Sequence, residues 1–140
     1  MPVPDDVSRV FSRPGLNVFC AMGSSAPPRY LRMAALALRD SGHNVVIATT
    51  SILDPAELEP LPENVYATRY LPAPQVNELA DVTVIHGGQG TVQMACWAGT
   101  PAVGVALQFE QQANLDMLAR AGMGVRIPLR EFPAPVSRTR

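Results

Sequence analysis

The chain has 140 residues, of which 47% are hydrophobic, and its 11 basic and 12 acidic residues leave a net charge of −1. This length suits one ordinary domain over residues 1–140, and the hydrophobic content can offset the entropy lost on ordering the backbone. Because the chain has no surplus of basic residues, its composition argues against binding to nucleic acid or to an anionic membrane.

The first half of the chain alternates between apolar runs and one helical pattern. Residues 17–22 are rich in β-formers and predict a strand, and residues 27–41 carry apolar side chains at helical spacing. A second strand is predicted at 44–50 and a third at 65–70. The proline-rich stretch at 51–64 between them predicts a loop with at most one helical turn.

The second half continues the same alternation. It predicts strands at 81–86, 102–107 and 124–128 and helices at 91–98 and 111–121. The Pro-Ala-Pro sequence at 72–74 ends the third strand, and we expect a loop there. Trp97 lies on the helix at 91–98, and we expect it to belong to the core.

The two cysteines, Cys20 and Cys96, stand alone in apolar runs. We expect both to be buried free thiols of a reducing cytoplasm, and their spacing predicts neither a disulfide scaffold nor a metal site. The N-terminus lacks the basic start and apolar stretch of a signal peptide, and no apolar run is long enough to span a membrane. The sequence therefore predicts a cytoplasmic α/β protein.

Apolar strands separated by helices predict a doubly wound parallel sheet of the Rossmann-like class, covered by helices on both faces. In the common strand order 3-2-1-4-5-6, the order reverses between the first and fourth strands, and ligands bind beside that switch point. The segments that follow those two strands are GSS at 23–25 and GGQG at 87–90. Both contain small residues, so their positions and compositions predict one site.

Residues 86–91 (HGGQGT) join the fourth strand to a helix. Glycines let an anion approach the backbone closely, and a helix N-terminus offers unpaired N–H groups. His86 and Thr91 could add side-chain donors. Taken alone, the glycine loop is equally consistent with a tight strand–helix turn that uses glycine for packing.

Further segments give the glycine loop a context. They are FCAMGSS at 19–25, ADVTVIHGGQGT at 80–91, WAGTP at 97–101, FEQQAN at 109–114 and AGMGVR at 121–126. In this order the segments resemble the UDP-glycosyltransferase superfamily, as found in bacterial macrolide and antibiotic glycosyltransferases. The resemblance covers residues 14–132 and implies the nucleotide-sugar-binding, C-terminal half of a two-domain GT-B architecture.

The resemblance implies a role for each of several residues in binding a UDP- or dTDP-hexose donor. His86 would contact the α-phosphate, with Tyr70 stacking on the base and the backbone of Leu71 contacting it. The diphosphate would be held by Gly88, Gly90 and Thr91, and approached by Ser24 and Ser25. Glu110 and Gln111 would bind the sugar hydroxyls. Each of these also has a structural reading, as a strand-end aromatic, a helix start or a helix cap.

The sequence departs from the family pattern at two places that concern the nucleoside. Met94 stands eight residues after His86, where the family often has a glutamate that grips the ribose diol. Ala73 follows the proline of the base-binding loop, where a glutamine is frequent.

The family's acceptor-binding domain and its catalytic base would lie outside these residues. We therefore expect no catalytic residue, metal or cofactor in this chain, since the nucleotide sugar is a substrate. The acceptor domain would be supplied in cis or by a partner subunit, and the chain would be a fragment that also lacks the closing C-terminal helices. Two alternatives stay open: a non-catalytic nucleotide-binding or regulatory module, and a nucleotide-sugar epimerase of similar architecture.

Overall fold

The computed structural model describes residues 2–22 and 27–127. Its centre is a six-stranded sheet in the order β3-β2-β1-β4-β5-β6, and every neighbouring pair is parallel. The predicted doubly wound sheet, including its switch point between β1 and β4, is therefore confirmed. The strands are β1 (Asn17–Cys20), β2 (Asn44–Ala48), β3 (Val65–Thr68), β4 (Val82–Ile85), β5 (Ala102–Gly104) and β6 (Gly124–Arg126).

The described chain also contains five α-helices and one short 3₁₀-helix. They are α1 (Asp5–Phe11), α2 (Pro28–Arg39), the 3₁₀-helix Pro55–Leu58, α3 (Ala73–Leu79), α4 (Gln89–Ala98) and α5 (Phe109–Arg120). The prediction of a loop with one helical turn at 51–64 is confirmed by the 3₁₀-helix. Most of the predicted strands are two or three residues too long, because the predictions included residues of the adjoining loops, such as Thr49 and Thr50 after β2.

Two helices were not predicted. We expected a loop at 72–74, but α3 begins at Ala73 and carries Pro74 in its first turn. Proline is tolerated there because the first N–H groups of a helix have no intrahelical partner. The other is α1, which has Asp5 and Asp6 in its first turn and buries Val7 and Val10 completely.

Alternating side chains of the central strands point to opposite faces of the sheet and into separate clusters. On one face, Val18, Cys20 and Ile47 pack under α2. On the other face, Phe19 and Val46 pack under α1 and α3. A third cluster joins the β4 and β5 strands to Leu115 and Leu118 of α5. Both faces of the central sheet are thus covered by helices.

Two expectations about side-chain burial are wrong. Trp97 is 76% exposed, because α4 turns the face that carries Ala95 toward the sheet. Cys96, its neighbour, is also exposed, whereas Cys20 is buried and its burial raises the pKa of the thiol to about 12. Across residues 2–22 and 27–127, no helix has the length and apolar character that crossing a bilayer requires.

Candidate functional site

The candidate site lies at the carboxyl edge of the sheet, beside the switch point between β1 and β4. Ligands of doubly wound sheets bind at this position because neighbouring loops diverge there and leave a crevice. Ser24 and Ser25, which follow β1, lie outside the described residues. The described part of the site comes from the turn between β4 and α4, the ends of β2 and β3, and the turn between β5 and α5.

The helix α4 begins with an uncapped N-terminus. Its N-cap is Gly88, which has no side chain to accept a hydrogen bond, and its first turn contains no acidic residue. The first N–H groups of a helix lack intrahelical partners and lie at the positive end of the helix dipole. This end of α4 is therefore suited to bind an anion such as phosphate.

Glycines 87 and 88 are required by the packing of the turn. Gly87 has φ +92°, and a Cβ there would lie 2.8 Å from the carbonyl oxygen of Gln111 and from Cγ of Leu115. A Cβ on Gly88 would lie 2.8 Å from Cε1 of His86. These two glycines therefore let the turn sit tightly against α5 and against the imidazole ring.

Gly90 differs from the two glycines that precede it. A Cβ at Gly90 would meet no atom of the described chain within 4 Å. Glycine also weakens a helix relative to alanine, so the fold gives no reason for it at this position. The bare backbone of Gly90 lines a cleft of the described structure, where a Cβ would obstruct a ligand.

His86 follows β4 directly and is 4% exposed. Its burial lowers the pKa of the imidazole, so the ring is neutral near neutral pH. Nδ1 accepts a long hydrogen bond of 3.5 Å from the backbone N–H of Gly88. That arrangement corresponds to the tautomer whose proton is on Nε2.

Thr91, in the first turn of α4, lines the cleft. Its hydroxyl donates a 3.0 Å hydrogen bond to the carbonyl oxygen of Gly88. We expected this hydroxyl to donate to a ligand, but in the structure its proton points back into the turn. The backbone N–H of Thr91 belongs to the uncapped first turn and is the donor that this residue offers.

A cleft of about 430 Å³ connects α4 to the ends of β2 and β3. Gly90, Thr91 and Met94 line it from α4, and Tyr70 and Leu71 line it from the segment after β3. Tyr70 is 57% exposed, so its ring is open to a stacking partner. The structure thus places the predicted base-binding residues and part of the predicted phosphate-binding turn around one space.

None of the described residues that line the cleft is acidic. Met94 and Ala73, the two departures from the family pattern, both line it. Among the described residues around this cleft, Arg69 is the only one with a charge. The cleft therefore offers apolar surface and a cation, a combination that suits an anionic ligand with a planar ring.

The β5–α5 turn is closed by its own side chain. Gln111 is 4% exposed, and its Oε1 accepts hydrogen bonds from the backbone N–H groups of Leu107 at 2.8 Å and Gln108 at 3.1 Å. This reaching back from the third helical position is one half of a capping box. Glu110, one residue earlier, is exposed. The pair therefore presents a carboxylate and the NH₂ group of an amide whose oxygen is occupied.

Sequence reasoning missed some residues that position this site. Asn114 donates from Nδ2 to the carbonyl oxygen of Gly87 at 2.9 Å and so ties α5 to the glycine turn. Its spacing of one helical turn from Gln111 was the available signal. Arg69 and Thr50 also line the cleft, and no pattern in the sequence marked them. In the described ranges, no group of three or more histidine, cysteine, aspartate or glutamate side chains is placed to hold a metal ion.

The fold and the site together define a doubly wound α/β domain with an uncapped helix start at its switch point. The family model for the erythromycin biosynthesis protein CIII-like, C-terminal domain matches residues 32–137. The chain therefore belongs to this family, and the resemblance to glycosyltransferases of the GT-B architecture is confirmed.

Individual relatives agree with the family. The chain is 30% identical over 119 residues to the NDP-glycosyltransferase YjiC of Bacillus subtilis, covering 85% of this chain and 30% of the relative. It is 33% identical over 108 residues to the PGL/p-HBAD biosynthesis rhamnosyltransferase of Mycobacterium bovis, covering 77% and 23%. The crystal structure of CalG4, the calicheamicin glycosyltransferase, superposes with a TM-score of 0.72 at 30% identity, covering 84% of this chain and 31% of that one. The chain thus spans a quarter to a third of the length of these glycosyltransferases.

Proposed function

We propose that this chain is the donor-binding half of a hexosyltransferase that uses a nucleotide-diphosphate sugar. This proposal is supported mainly by the cleft that joins Tyr70 and Leu71 to the uncapped start of α4. The base stacks on Tyr70 and contacts the backbone of Leu71. The diphosphate lies on the N–H groups of α4, the segment that includes Gly88, Gly90 and Thr91, and His86 contacts its α-phosphate. Ser24 and Ser25 approach it from the first loop.

The start of α4 would act on the chemical step as well as on binding. In glycosyl transfer, the acceptor oxygen attacks the anomeric carbon and the bond from that carbon to the β-phosphate oxygen breaks. Negative charge then grows on the departing nucleoside diphosphate. Preorganised N–H groups and the helix dipole stabilise that charge without reorganising, which lowers the barrier.

Glu110 and Gln111 bind the sugar in this proposal. Because Oε1 of Gln111 already accepts two backbone hydrogen bonds, only its NH₂ group remains to donate to a sugar oxygen. The carboxylate of Glu110 accepts from a neighbouring hydroxyl. One donor and one acceptor side by side match a pair of adjacent hydroxyl groups, which is the feature that hexoses share.

The acceptor and the base that takes its proton come from outside this chain, from an acceptor domain in cis or from a partner subunit. The relatives that this chain matches are about three times as long as this chain, which leaves room for such a domain. Catalysis needs both reactants held in register. The 140-residue chain alone should therefore bind the donor and transfer nothing. Its free thiols, one of them exposed, are typical of a reducing cytoplasm, where we place the protein.

The lining of the cleft also bears on the donor nucleotide. A glutamate at position 94 would accept hydrogen bonds from both ribose hydroxyls, and Met94 accepts only weakly. A deoxyribose loses less by that change because it has one hydroxyl fewer to leave unpaired. We propose that the uridine and thymidine diphosphates bind within about tenfold of each other.

Calorimetric titration of the chain with uridine diphosphate and with uridine tests the donor-binding function. We expect the diphosphate to bind with an affinity between about micromolar and millimolar, since one wall of the site is missing, and uridine to bind far more weakly. Equal affinities for the two ligands would reject the proposal, because the α4 start would then contribute nothing.

A non-catalytic nucleotide-binding module is the second candidate, and the observation that favours it is the replacement of a ribose-gripping carboxylate by Met94. The two candidates differ in turnover. The chain should be mixed with the N-terminal domain of a related glycosyltransferase and supplied with nucleotide sugar. Release of nucleoside diphosphate coupled to acceptor modification supports the transferase, and tight donor binding without transfer supports the module.

A further inference from the structure

Arg69 stands directly before Tyr70 and lines the cleft on its nucleoside side. We propose that Arg69 is a specificity-determining residue that donates hydrogen bonds to a carbonyl oxygen of the donor's base. The inference rests on the proposed function, since it assigns a further contact within that nucleotide site. It concerns the choice of base, whereas the α4 start concerns the diphosphate.

The guanidinium of Arg69 is held at one nitrogen. Nη1 donates to the carbonyl oxygen of Thr50 at 3.2 Å and makes a longer contact of 3.5 Å with that of Leu53. The Nε and Nη2 groups have no hydrogen-bond or ion-pair partner among residues 2–22 and 27–127. One edge of the planar fork is therefore fixed and the remaining donors are free for a ligand.

The residue that holds Arg69 has a strained backbone. Thr50 has φ +53°, and it is the only non-glycine with a positive φ in the described chain. A β-branched residue rarely adopts this conformation, and such strain persists mainly at ligand and switch sites. The backbone N–H of Thr50 donates to the carbonyl oxygen of Arg69 at 2.7 Å, so each residue bonds the other. The left-handed turn of Thr50 thus fixes the position of the arginine beside the cleft.

The donor chemistry of arginine determines which bases it favours. A guanidinium has N–H donors and no acceptor, so it bonds a carbonyl oxygen and repels an exocyclic amino group. Uracil and thymine carry carbonyl oxygens on their ring, whereas adenine carries an amino group, no carbonyl, and acceptors only at its ring nitrogens. Arg69 should therefore raise the affinity for uracil-type bases relative to adenine.

The alternative role for Arg69 is attraction of the diphosphate by charge. That attraction does not depend on the base, so the two roles separate in the ratio of affinities for uridine diphosphate and adenosine diphosphate. Arg69→Met removes all donors and keeps a side chain of similar reach. Arg69→Lys keeps the charge and loses the planar fork.

The test is a calorimetric titration of the 140-residue chain and both variants with the two nucleotides. We expect each variant to reduce the preference for uridine diphosphate over adenosine diphosphate by about tenfold. If Arg69→Met does not fold, Arg69→Lys is the variant that tests the proposal. An unchanged ratio in a folded variant would overturn the assignment of Arg69 and leave the proposed function intact. Failure of the unaltered chain to bind either nucleotide would overturn the proposed function itself.

Discussion

The two helices that begin on either side of the candidate site, α4 and α5, start in opposite ways. The start of α4 has a glycine N-cap, no side-chain cap and no carboxylate in its first turn. The start of α5 has Glu110 in its first turn, and Gln111 bonds the backbone of the segment that leads into it. Both follow strands of one parallel sheet and lie at the same edge.

This difference assigns separate tasks to the two helices. A carboxylate in the first turn of α5 repels a phosphate and compensates the helix dipole, whereas α4 leaves that positive end for a ligand. We therefore expect backbone groups to bind the diphosphate at α4 and side chains to bind the sugar at α5. The hydrogen bond from Asn114 to the carbonyl oxygen of Gly87 holds the two starts in a fixed relation.

The largest effect on stability should come from Gly87→Ala, which disrupts the contact between the two helix starts. The new Cβ would lie 2.8 Å from the carbonyl oxygen of Gln111 at a φ of +92°. Left-handed strain and overpacking together should lower the free energy of unfolding by about 2–4 kcal/mol, measured by urea denaturation. Gly90→Ala is the matched control, since its Cβ meets nothing within 4 Å.

Gly90→Ala should stabilise the helix by about 0.5–1 kcal/mol and at the same time weaken the binding of uridine diphosphate. A stable variant that binds worse separates ligand access from folding. If Gly90→Ala bound the diphosphate as tightly as the original chain, the bare backbone at Gly90 would have no role in the site.

The next effect concerns His86, which belongs to the α4 side of the comparison. His86→Ala removes the Nε2 donor, and hydrogen bonds to charged groups contribute about 1.5–3 kcal/mol. We expect the affinity for uridine diphosphate to fall by about one to two decades in calorimetry, with little change for uridine. His86→Gln keeps a donor near the same place and should recover much of the loss. If His86→Ala bound uridine diphosphate as tightly as the original chain, the histidine would only pack at the strand end and would not contact the diphosphate.

The smallest effect should separate the two functions of Gln111 on the α5 side. Gln111→Glu keeps an oxygen for the N–H groups of Leu107 and Gln108 but loses the NH₂ donor. It should keep the thermal stability of the chain. It should also lower the affinity for the nucleotide sugar by about tenfold relative to the affinity for the bare diphosphate. Gln111→Leu should also lose about 1 kcal/mol of stability because the cap is gone. An unchanged ratio of the two affinities in Gln111→Glu would mean that this residue only caps the helix.

Much of the fold could be predicted because parallel strands covered on both faces appear as apolar runs. The segments around Val46 and Ile85 show this, and the strand order followed from the usual topology. Helix faces were harder to predict. Trp97 was expected in the core, yet the three residues Ala95, Cys96 and Trp97 divide between inside and outside according to how α4 docks on the sheet.

The outline of the site could also be predicted, since part of the glycine turn at the switch point and Tyr70, which the family resemblance marked, line one cleft. The hydrogen bonds of its side chains could not. Whether Thr91 donates to a ligand or to Gly88, and whether Gln111 bonds sugar or backbone, depends on rotamers set by contacts between elements. Thr50 and Arg69 meet only because β2 and β3 pair in register, so neither residue stands out in the sequence.

The central claim is that the start of α4, and not that of α5, holds the diphosphate. Amide NMR spectra of the chain during titration with uridine diphosphate test this most directly, because N–H groups that gain a phosphate acceptor shift strongly. We predict the largest amide shifts at Gln89, Gly90 and Thr91, and small shifts at Phe109 and Glu110. The largest shifts at Phe109 and Glu110, with the amides of α4 unmoved, would contradict the account.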